Sequence, residues 1–314
     1  MEKIEELNTI TSTQELIKSK EFSLIEILES EKLIITDNSV EMGGVNEFTR
    51  WLYKVYKPSQ LNLKILRKEL DNLTCLQDIL THPNVYTIKE ITEEKLKLEQ
   101  ILSKKINYFK KHDAHLKNTR WKKREIKEKN PVFETLLELQ EVAYQNMQIS
   151  DSKELNIQMN NFKYNPLIKI VKLLSQEINL KKDTSFLKGF HDKDQSNDSD
   201  TDEKLVAALY YFSLYSDKSP CILTSDTDFV SLIGVTTRLI GTNSFLPDNE
   251  IFRKRTIENP FRLYFKNRGK DTCCLKINSL NEKYIPNFKI INIPQKRSLE
   301  IEEEVRQELK KLAI

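Results

Sequence analysis

The chain has 314 residues, of which 39% are hydrophobic and 31% are charged, with only six Gly and nine Pro. This balance favours a folded, helix-rich protein and argues against a disordered or collagen-like chain. The sequence has no apolar run of about 18 residues or more, and its acidic start is unlike a secretory signal. We therefore expect a cytoplasmic protein without a membrane partner.

The first third of the chain is predicted as helices separated by two short strands. Residues 1–30 have the pattern of an amphipathic helical extension. An apolar run at 32–36 predicts a strand buried on both faces, and polar residues follow its end. Helices are predicted at about 45–56 and 61–80, each stopped by a following proline. A second strand at 84–88 then leads directly into another helix.

The middle of the chain is predicted to be helical before the strand pattern returns. Residues from about 95 to 177 keep helical spacing throughout, which favours a helical insertion. An acidic loop at 192–203 then leads into an apolar helix, for which Thr201 and Asp202 are candidate caps. A short apolar strand is predicted at 221–224, and acidic residues follow its end.

The last segment is predicted to contain both strands and helices. A short helix at 229–233 is followed by a predicted strand at 236–241. Residues 261–266 and 272–277 flank a turn sequence and predict a β-hairpin. An amphipathic helix at 298–313 ends the chain.

Alternation of buried strands and helices predicts an α/β fold, with a central parallel sheet between two helical layers in an α/β/α arrangement. No repeat of fixed period occurs, which argues against a solenoid. We divide the chain into an N-terminal helical extension (1–30), the first half of the core (31–99), a basic helical insertion (100–180), the second half of the core (181–245), and a C-terminal β-hairpin with a helix (246–314).

One segment of the chain is strongly basic. Residues 104–129 include eleven Lys or Arg and three Asp or Glu. Such charge runs are commonly a solvated helix face. Here aromatic residues alternate with the cations, as expected where cations bind phosphates and rings stack on unpaired bases. We predict RNA contacts from the cations and rings Lys110, Lys111, Arg120, Trp121, Lys122, Lys123 and Arg124, with Tyr108 and Phe109 as further stacking rings.

Acidic residues lie near the ends of predicted strands that are far apart in the chain. Asp37 follows the first strand, and Glu94 lies in the helix after the second. Asp202 begins the helix before the third strand, and Asp226 and Asp228 follow that strand. Ligands of parallel sheets bind where the strands end, so we expect these acids to converge. Converging carboxylates repel each other unless a cation neutralises them, and oxygen ligands favour Mg²⁺ or Mn²⁺.

Four stretches carry these acids: LIITDNS at 33–39, VYTIKEITEE at 85–94, TDEKLVAALYY at 201–211 and ILTSDTDF at 222–229. In this order they resemble the PIN-domain nucleases, which implies a PIN-like domain with a metal-binding site. The resemblance implies roles for eight residues: Asp37, Glu94, Asp202 and Asp226 as metal-binding catalytic acids, Asp228 as an accessory ligand, and Asn38, Ser39 and Thr224 as supports for the acids or the phosphate.

Some of these assignments have alternatives. Glu90 or Glu93 could replace Glu94, and Asp200 could replace Asp202, which could also merely cap its helix. The sequence as a whole predicts a Mg²⁺- or Mn²⁺-dependent endoribonuclease that hydrolyses RNA by metal-activated water. Two alternative functions stay open: an inactive PIN-like scaffold that binds RNA or protein, and a structure-specific DNA nuclease.

Overall fold

The computed structural model of the chain describes residues 21–41, 62–117, 131–155, 161–179, 201–226, 229–230, 232–234, 236–237, 250–267, 270–280 and 295–312. The helix predicted at 45–56 and most of the predicted acidic loop, residues 192–200, lie outside these ranges. Asn38, Glu94 and Lys110 lie in helices, but their side chains are outside what the structure describes.

The described strands form one sheet in the order β1-β6-β5-β4-β2-β3. Strands β3, β2, β4 and β5 are parallel to one another, whereas β6 runs antiparallel to β5 and β1 antiparallel to β6. The strands are β1 (Glu21–Ser23), β2 (Leu33–Thr36), β3 (Val85–Tyr86), β4 (Pro220–Thr224), β5 (Arg262–Lys266) and β6 (Thr272–Asn278). We call the edge at which the four parallel strands end the carboxyl edge, and the opposite one the amino edge.

Helices connect these strands and pack on both faces of the sheet. They are α1 (Leu24–Ser30), α2 (Asn38–Glu41), α3 (Leu63–Thr81), α4 (Lys89–Lys117), α5 (Pro131–Asp151), α6 (Asn161–Asn179), α7 (Thr201–Tyr215), α8 (Glu250–Glu258) and α9 (Gln295–Lys311). None of the described helices is long and apolar enough to cross a membrane.

Alternate residues of the central strands point to opposite sides of the sheet. Ile34 of β2 and Cys221 of β4 belong to a core with α1, α3, α4 and α5. Ile35 and Ile222, the next residues along each strand, belong to a second core with α6, α7 and α9. Both strands are fully buried, as apolar runs in doubly covered parallel sheets are. The predicted α/β fold with a mainly parallel sheet is confirmed.

The order of the strands reverses beside β2. The chain passes from β2 to β3 on one side of it and later returns to β4 on its other side. The connections that leave β2 and β4 therefore proceed in opposite directions along the sheet. In open α/β sheets a crevice forms at such a reversal, at the ends of the two strands, and ligands bind there. The residues that follow Thr36 and Thr224 lie at the ends of these two strands, where such a crevice forms.

A buried ion pair fixes the amino edge. Glu31 is 5% exposed and precedes β2. Its carboxylate accepts hydrogen bonds from the Arg262 guanidinium at 3.0 and 3.1 Å and from the Tyr264 hydroxyl at 2.7 Å. Asn84, which precedes β3, donates from its side chain to the Glu31 carbonyl at 3.0 Å. These bonds tie together the starts of β2, β3 and β5, so that the strands end in register at the carboxyl edge.

Two predicted elements are wrong. Residues 21–23 form β1 instead of continuing a helix, because Phe22 pairs with Cys273 of β6 and its ring packs edge-on against Tyr264. Ser23 then caps α1 through a capping box, so the helix starts only at Leu24. Thr236 and Thr237 are helical where a strand is predicted. The Thr237 hydroxyl donates to the Ile233 carbonyl one turn earlier, a bond that accommodates threonine in helices.

The hairpin and the helical insertion are parts of the main fold. Strands β5 and β6 form the predicted hairpin, and β5 also pairs in parallel with β4, which joins the hairpin to the central sheet. Helices from the segment predicted as an insertion supply both cores: α5 packs on one face of the sheet and α6 on the other. The sheet therefore depends on this segment for its cover.

Candidate active site

Asp37 lies at the carboxyl edge between β2 and β4. The two strands pair with Thr36 opposite Leu223, and the Asp37 amide donates to the Leu223 carbonyl at 3.3 Å. Helix α2 begins at the next residue and turns the chain away from the sheet. Asp37 is only 2% exposed, although it lies at the end of a strand. The end of β2 thus places a carboxylate in the crevice between two strands.

Two hydroxyl groups and one amide surround the Asp37 carboxylate. Its Oδ1 accepts hydrogen bonds from the Ser39 hydroxyl at 2.5 Å and from the Val40 amide at 3.0 Å. Its Oδ2 accepts a hydrogen bond from the Thr224 hydroxyl at 2.5 Å. Hydrogen bonds to a charged acceptor are short and strong, and these three fix the orientation of the carboxylate. Ser39 and Thr224, which the resemblance predicts as supports for the acids or the phosphate, thus make two of the contacts to Asp37.

The same hydroxyl groups hold the loop that carries Asp226. Thr224 Oγ1 accepts a hydrogen bond from the Asp226 amide at 2.9 Å, and Ser39 Oγ accepts one from the Ser225 amide at 2.8 Å. Each hydroxyl therefore donates to Asp37 and accepts from the loop after β4. We call Asp37 and Asp226 the acid pair, because these shared hydroxyls couple their positions. Ser225 was not identified from the sequence, and its contribution comes from its backbone.

The surroundings of the acid pair disfavour the charged form of Asp37. Burial raises the pKa of Asp37 from 3.8 to about 6, although the bonds from Ser39, Thr224 and the Val40 amide lower it. The negative charge of Asp226 raises the pKa of Asp37 further, so the two carboxylates are close enough to repel each other. A buried acid with such a neighbour is characteristic of sites that bind cations or handle protons.

The starts of α4 and α7 lie next to each other. Lys204 in the first turns of α7 forms an ion pair with Glu90 of α4, with its Nζ 3.0 Å from the carboxylate. Helix α2, which follows Asp37, contacts α4 as well. Because Asp202 is in the first turn of α7 and Glu94 is one turn after Glu90, four acid-bearing segments approach the carboxyl edge.

Two of the alternative acids already have cationic partners. Glu90 pairs with Lys204, and the exposed Glu93 pairs with Lys89 at 3.7 Å. Both ion pairs neutralise the carboxylate of a residue that could otherwise serve as the second acid. Glu94 stays a prediction, because its own side chain lies outside the described residues.

The structure brings some of the predicted ligands together and not others. Asp37 and Asp226 meet, whereas Asp202 is exposed at the start of α7. Among the described side chains, no group of three or more His, Cys, Asp or Glu is placed to hold a metal ion, so Asp202 does not complete such a group with the acid pair. Asp228 lies outside the described residues, and so do Asp200 and the side chain of Glu94.

The predicted RNA contacts are described only in α4. Lys111 is exposed, and Tyr108 is 40% exposed with the Lys105 ammonium 5.3 Å from the centre of its ring. Phe109 is fully buried in the core with α3 and α5, so its predicted stacking on RNA bases is wrong. The helical spacing explains this error, because adjacent residues of a helix face different directions. Residues 120–124 lie outside the described residues.

Comparison of the chain with protein-family models, with curated protein sequences and with solved structures gives no match. Its function must therefore be argued from its own residues and their geometry.

Proposed function

We propose that this protein is a metal-dependent nuclease with a PIN-like fold, and that RNA is its substrate. The observation that carries the proposal is the acid pair: Asp37 and Asp226 are close enough to repel each other at the point where the strand order reverses, and the Thr224 hydroxyl bonds both the Asp37 carboxylate and the Asp226 amide. The parallel order of β3, β2, β4 and β5 and the helices on both faces support the PIN-like assignment.

The residues of the site fit Mg²⁺ or Mn²⁺. The acid pair supplies hard oxygen donors, the ligand type that these two cations prefer. Magnesium is commonly held by one or two carboxylates together with waters and substrate phosphate, so a pair suffices to begin a site. Burial, and to a smaller extent the charge of Asp226, raises the pKa of Asp37, and a bound cation would offset both by stabilising the charged carboxylate. When bound, such a cation activates water and neutralises charge on the leaving oxygen.

The chain's own residues would orient the Asp37 carboxylate and keep it buried from water. The hydroxyls of Ser39 and Thr224 hold both oxygens of Asp37, which leaves the carboxylate little freedom to rotate. A preorganised site loses less free energy to reorganisation during the reaction than a flexible one. In this proposal Asp37 and Asp226 bind the cation directly, and the PIN resemblance adds Glu94 and Asp228, whose side chains lie outside the described residues.

RNA is favoured as the substrate by the exposed side of α4. Lys104, Tyr108 and Lys111 recur at spacings of four and three residues, which places them on one face of the helix, and all three are exposed. Lysines in such a row neutralise phosphates, and an exposed ring offers a stacking surface for an unpaired base. Helix α4 rises by about 1.5 Å per residue, so Lys104 is about 15 Å from Glu94 along it. In this proposal an RNA strand bound along this face extends to the acid pair.

A cleavage assay with matched variants tests the proposal. Labelled single-stranded RNA, single-stranded DNA and a flapped DNA duplex are incubated with Mg²⁺, with Mn²⁺ or with a chelator. We expect RNA cleavage that needs the metal, and a loss of at least about a hundredfold in Asp226→Asn and Asp37→Asn. Asp217→Asn removes an exposed acid from the turn before β4, at the amino edge, and should cut normally. Circular dichroism verifies that all three variants are folded.

Other outcomes would assign a different function. Preferred cutting of the flapped duplex would indicate a structure-specific DNA nuclease. RNA binding without any cleavage would indicate a PIN-like scaffold. Cleavage that persists in the chelator, or in Asp226→Asn, would contradict the metal-dependent mechanism. The cytoplasmic location stays a prediction.

A further inference from the structure

A phenylalanine near the end of β5 lies on the same face of the sheet as Asp37. One residue from each of three neighbouring strands belongs to the same core: Ile35, Ile222 and Leu263. Side chains two positions further along each chain point to the same face, so Asp37, Thr224 and Phe265 share it. Strand β5 pairs with β4 so that Phe265 is opposite Thr224, whose hydroxyl donates to Asp37 at 2.5 Å. Because adjacent strands are about 4.8 Å apart, Phe265 is one strand away from the hydroxyl that holds Asp37.

The Phe265 ring emerges from the core at the carboxyl edge. On the same face of β5, Leu263 is fully buried, whereas Phe265 is half-buried. The burial decreases because β5 ends at Lys266, one residue after Phe265. Part of an aromatic ring is therefore accessible at the edge where the acid pair lies, and on the same face as the buried carboxylate.

A bulge in β6 brings a lysine to this ring. The register between β5 and β6 shifts after Leu263, and Lys276 is the extra residue of β6 at that point. Its Nζ lies 5.9 Å from the centre of the Phe265 ring. Bulges are common beside active sites, where they change the direction of a side chain. The distance is close to the limit of about 6 Å for a cation–π contact, so the ammonium is held loosely and a base can take its place on the ring.

We infer that the Phe265 ring stacks on an unpaired base of the RNA, in a nucleotide next to the phosphate that is cut; this inference rests on the proposed function. Every base has a π face, so such a ring adds affinity without requiring a particular sequence. A base inside a duplex is already stacked and paired, so only an unpaired base can reach the ring. The Lys276 ammonium offsets part of the repulsion between the acid pair and the RNA backbone. In this role Phe265 is a binding residue that selects single-stranded substrates and performs no chemical step.

The test measures binding of a labelled single-stranded RNA by fluorescence anisotropy, in a chelator that prevents metal-dependent cleavage. Phe265→Leu keeps an apolar side chain but removes the ring, and we expect it to lose about tenfold in affinity. Phe265→Tyr keeps the ring and should bind as the wild type does. Phe22→Leu is the matched control and should also bind normally, because Phe22 is half-buried in the same sheet but packs against Tyr264 on the opposite face. Circular dichroism verifies that the variants are folded.

RNAs that each lack one base distinguish stacking from a structural effect. At the stacked position, removal of the base should weaken binding to the wild type by about tenfold and leave the affinity of Phe265→Leu unchanged, because that variant has no ring to lose. A fluorescent base analogue at the same position should be quenched when the wild-type protein binds, which tests the contact without any substitution in the protein.

Wild-type affinity in Phe265→Leu would overturn the inference, and so would equal losses in the wild type and in Phe265→Leu whichever base is removed. Failure of the proposed function looks different. A protein that never cuts RNA, or an Asp226→Asn variant that cuts normally, would refute the nuclease, and the RNAs that lack one base would still decide whether Phe265 stacks on a base.

Discussion

Replacement of Asp37 by Asn should stabilise the metal-free protein at pH 8 and destabilise it at pH 4. The pKa of Asp37 is about 6 in the folded protein, against an ordinary value of 3.8. Because the folded-state value is the higher one, proton binding favours the fold. This stabilisation is complete below pH 3.8 and is lost as the pH rises through 6. At pH 8 the buried carboxylate is charged, and the fold bears the full penalty.

The size of the effect follows from the two pKa values. The gap of about two pH units corresponds to about 3 kcal/mol, at about 1.4 kcal/mol per unit. Asn is neutral at every pH, but its amide nitrogen cannot accept a hydrogen bond as a carboxylate oxygen does, which costs about 1 kcal/mol. We therefore expect Asp37→Asn to be more stable than the wild type by about 2 kcal/mol at pH 8, and less stable by about 1 kcal/mol at pH 4.

Urea unfolding in a chelator, at several pH values from 4 to 8, measures this change in the free energy of unfolding. Asp217→Asn serves as the control, because its exposed carboxylate is at the opposite edge of the sheet. Excess Mg²⁺ should then raise the stability of the wild type but leave Asp37→Asn nearly unchanged. The reasoning is refuted if the difference between Asp37→Asn and the wild type does not change sign between pH 4 and pH 8.

Two further predictions concern the amino edge and α4. Arg262→Met should destabilise the protein by about 3–5 kcal/mol in urea unfolding, because it leaves the buried Glu31 carboxylate without its charged partner. The double variant Arg262→Met with Glu31→Gln should recover part of this lost stability. If it recovers none, the ion-pair explanation is contradicted. In α4, Phe109→Ala should lower the free energy of unfolding by about 3–5 kcal/mol, because the ring is fully buried. Tyr108→Ala should leave the free energy of unfolding nearly unchanged. It should instead weaken RNA binding by about 1–3 kcal/mol in anisotropy titrations. Equal effects of the two variants on stability would show that the assigned faces of the helix are wrong.

The sequence was sufficient to locate the central strands and the acids that follow them. The apolar runs that became β2 and β4 are short, continuous and followed at once by polar residues, a pattern that favours a strand buried on both faces. Asp37 and Asp226 could be selected for the same reason, since each ends such a run. The hairpin of β5 and β6 was predictable because its turn residues lie between two alternating segments.

Other features could not be read from local pattern. Strand β1 exists because Phe22 pairs with the edge of β6. The helical state of Thr237 depends on the bond from its hydroxyl to the Ile233 carbonyl and on the Tyr210 hydroxyl, which lies 2.7 Å from the Thr237 hydroxyl. Both cases oppose the local preference of the residues, which is a weak bias that tertiary contacts override. The burial of Phe109 and the exposure of its neighbour Tyr108 likewise required the packing of α4 against α3 and α5.

By itself, the sequence determined the central strands β2 and β4 and the acids that follow them, because burial on two faces and turn chemistry leave local patterns. Only the tertiary structure decided that β4 returns beside β2, so that the Thr224 hydroxyl bonds both the Asp37 carboxylate and the Asp226 amide. Strand order depends on contacts between residues more than 180 positions apart. No window of sequence contains both partners of such a contact, so the geometry of the site appears only when the chain is folded.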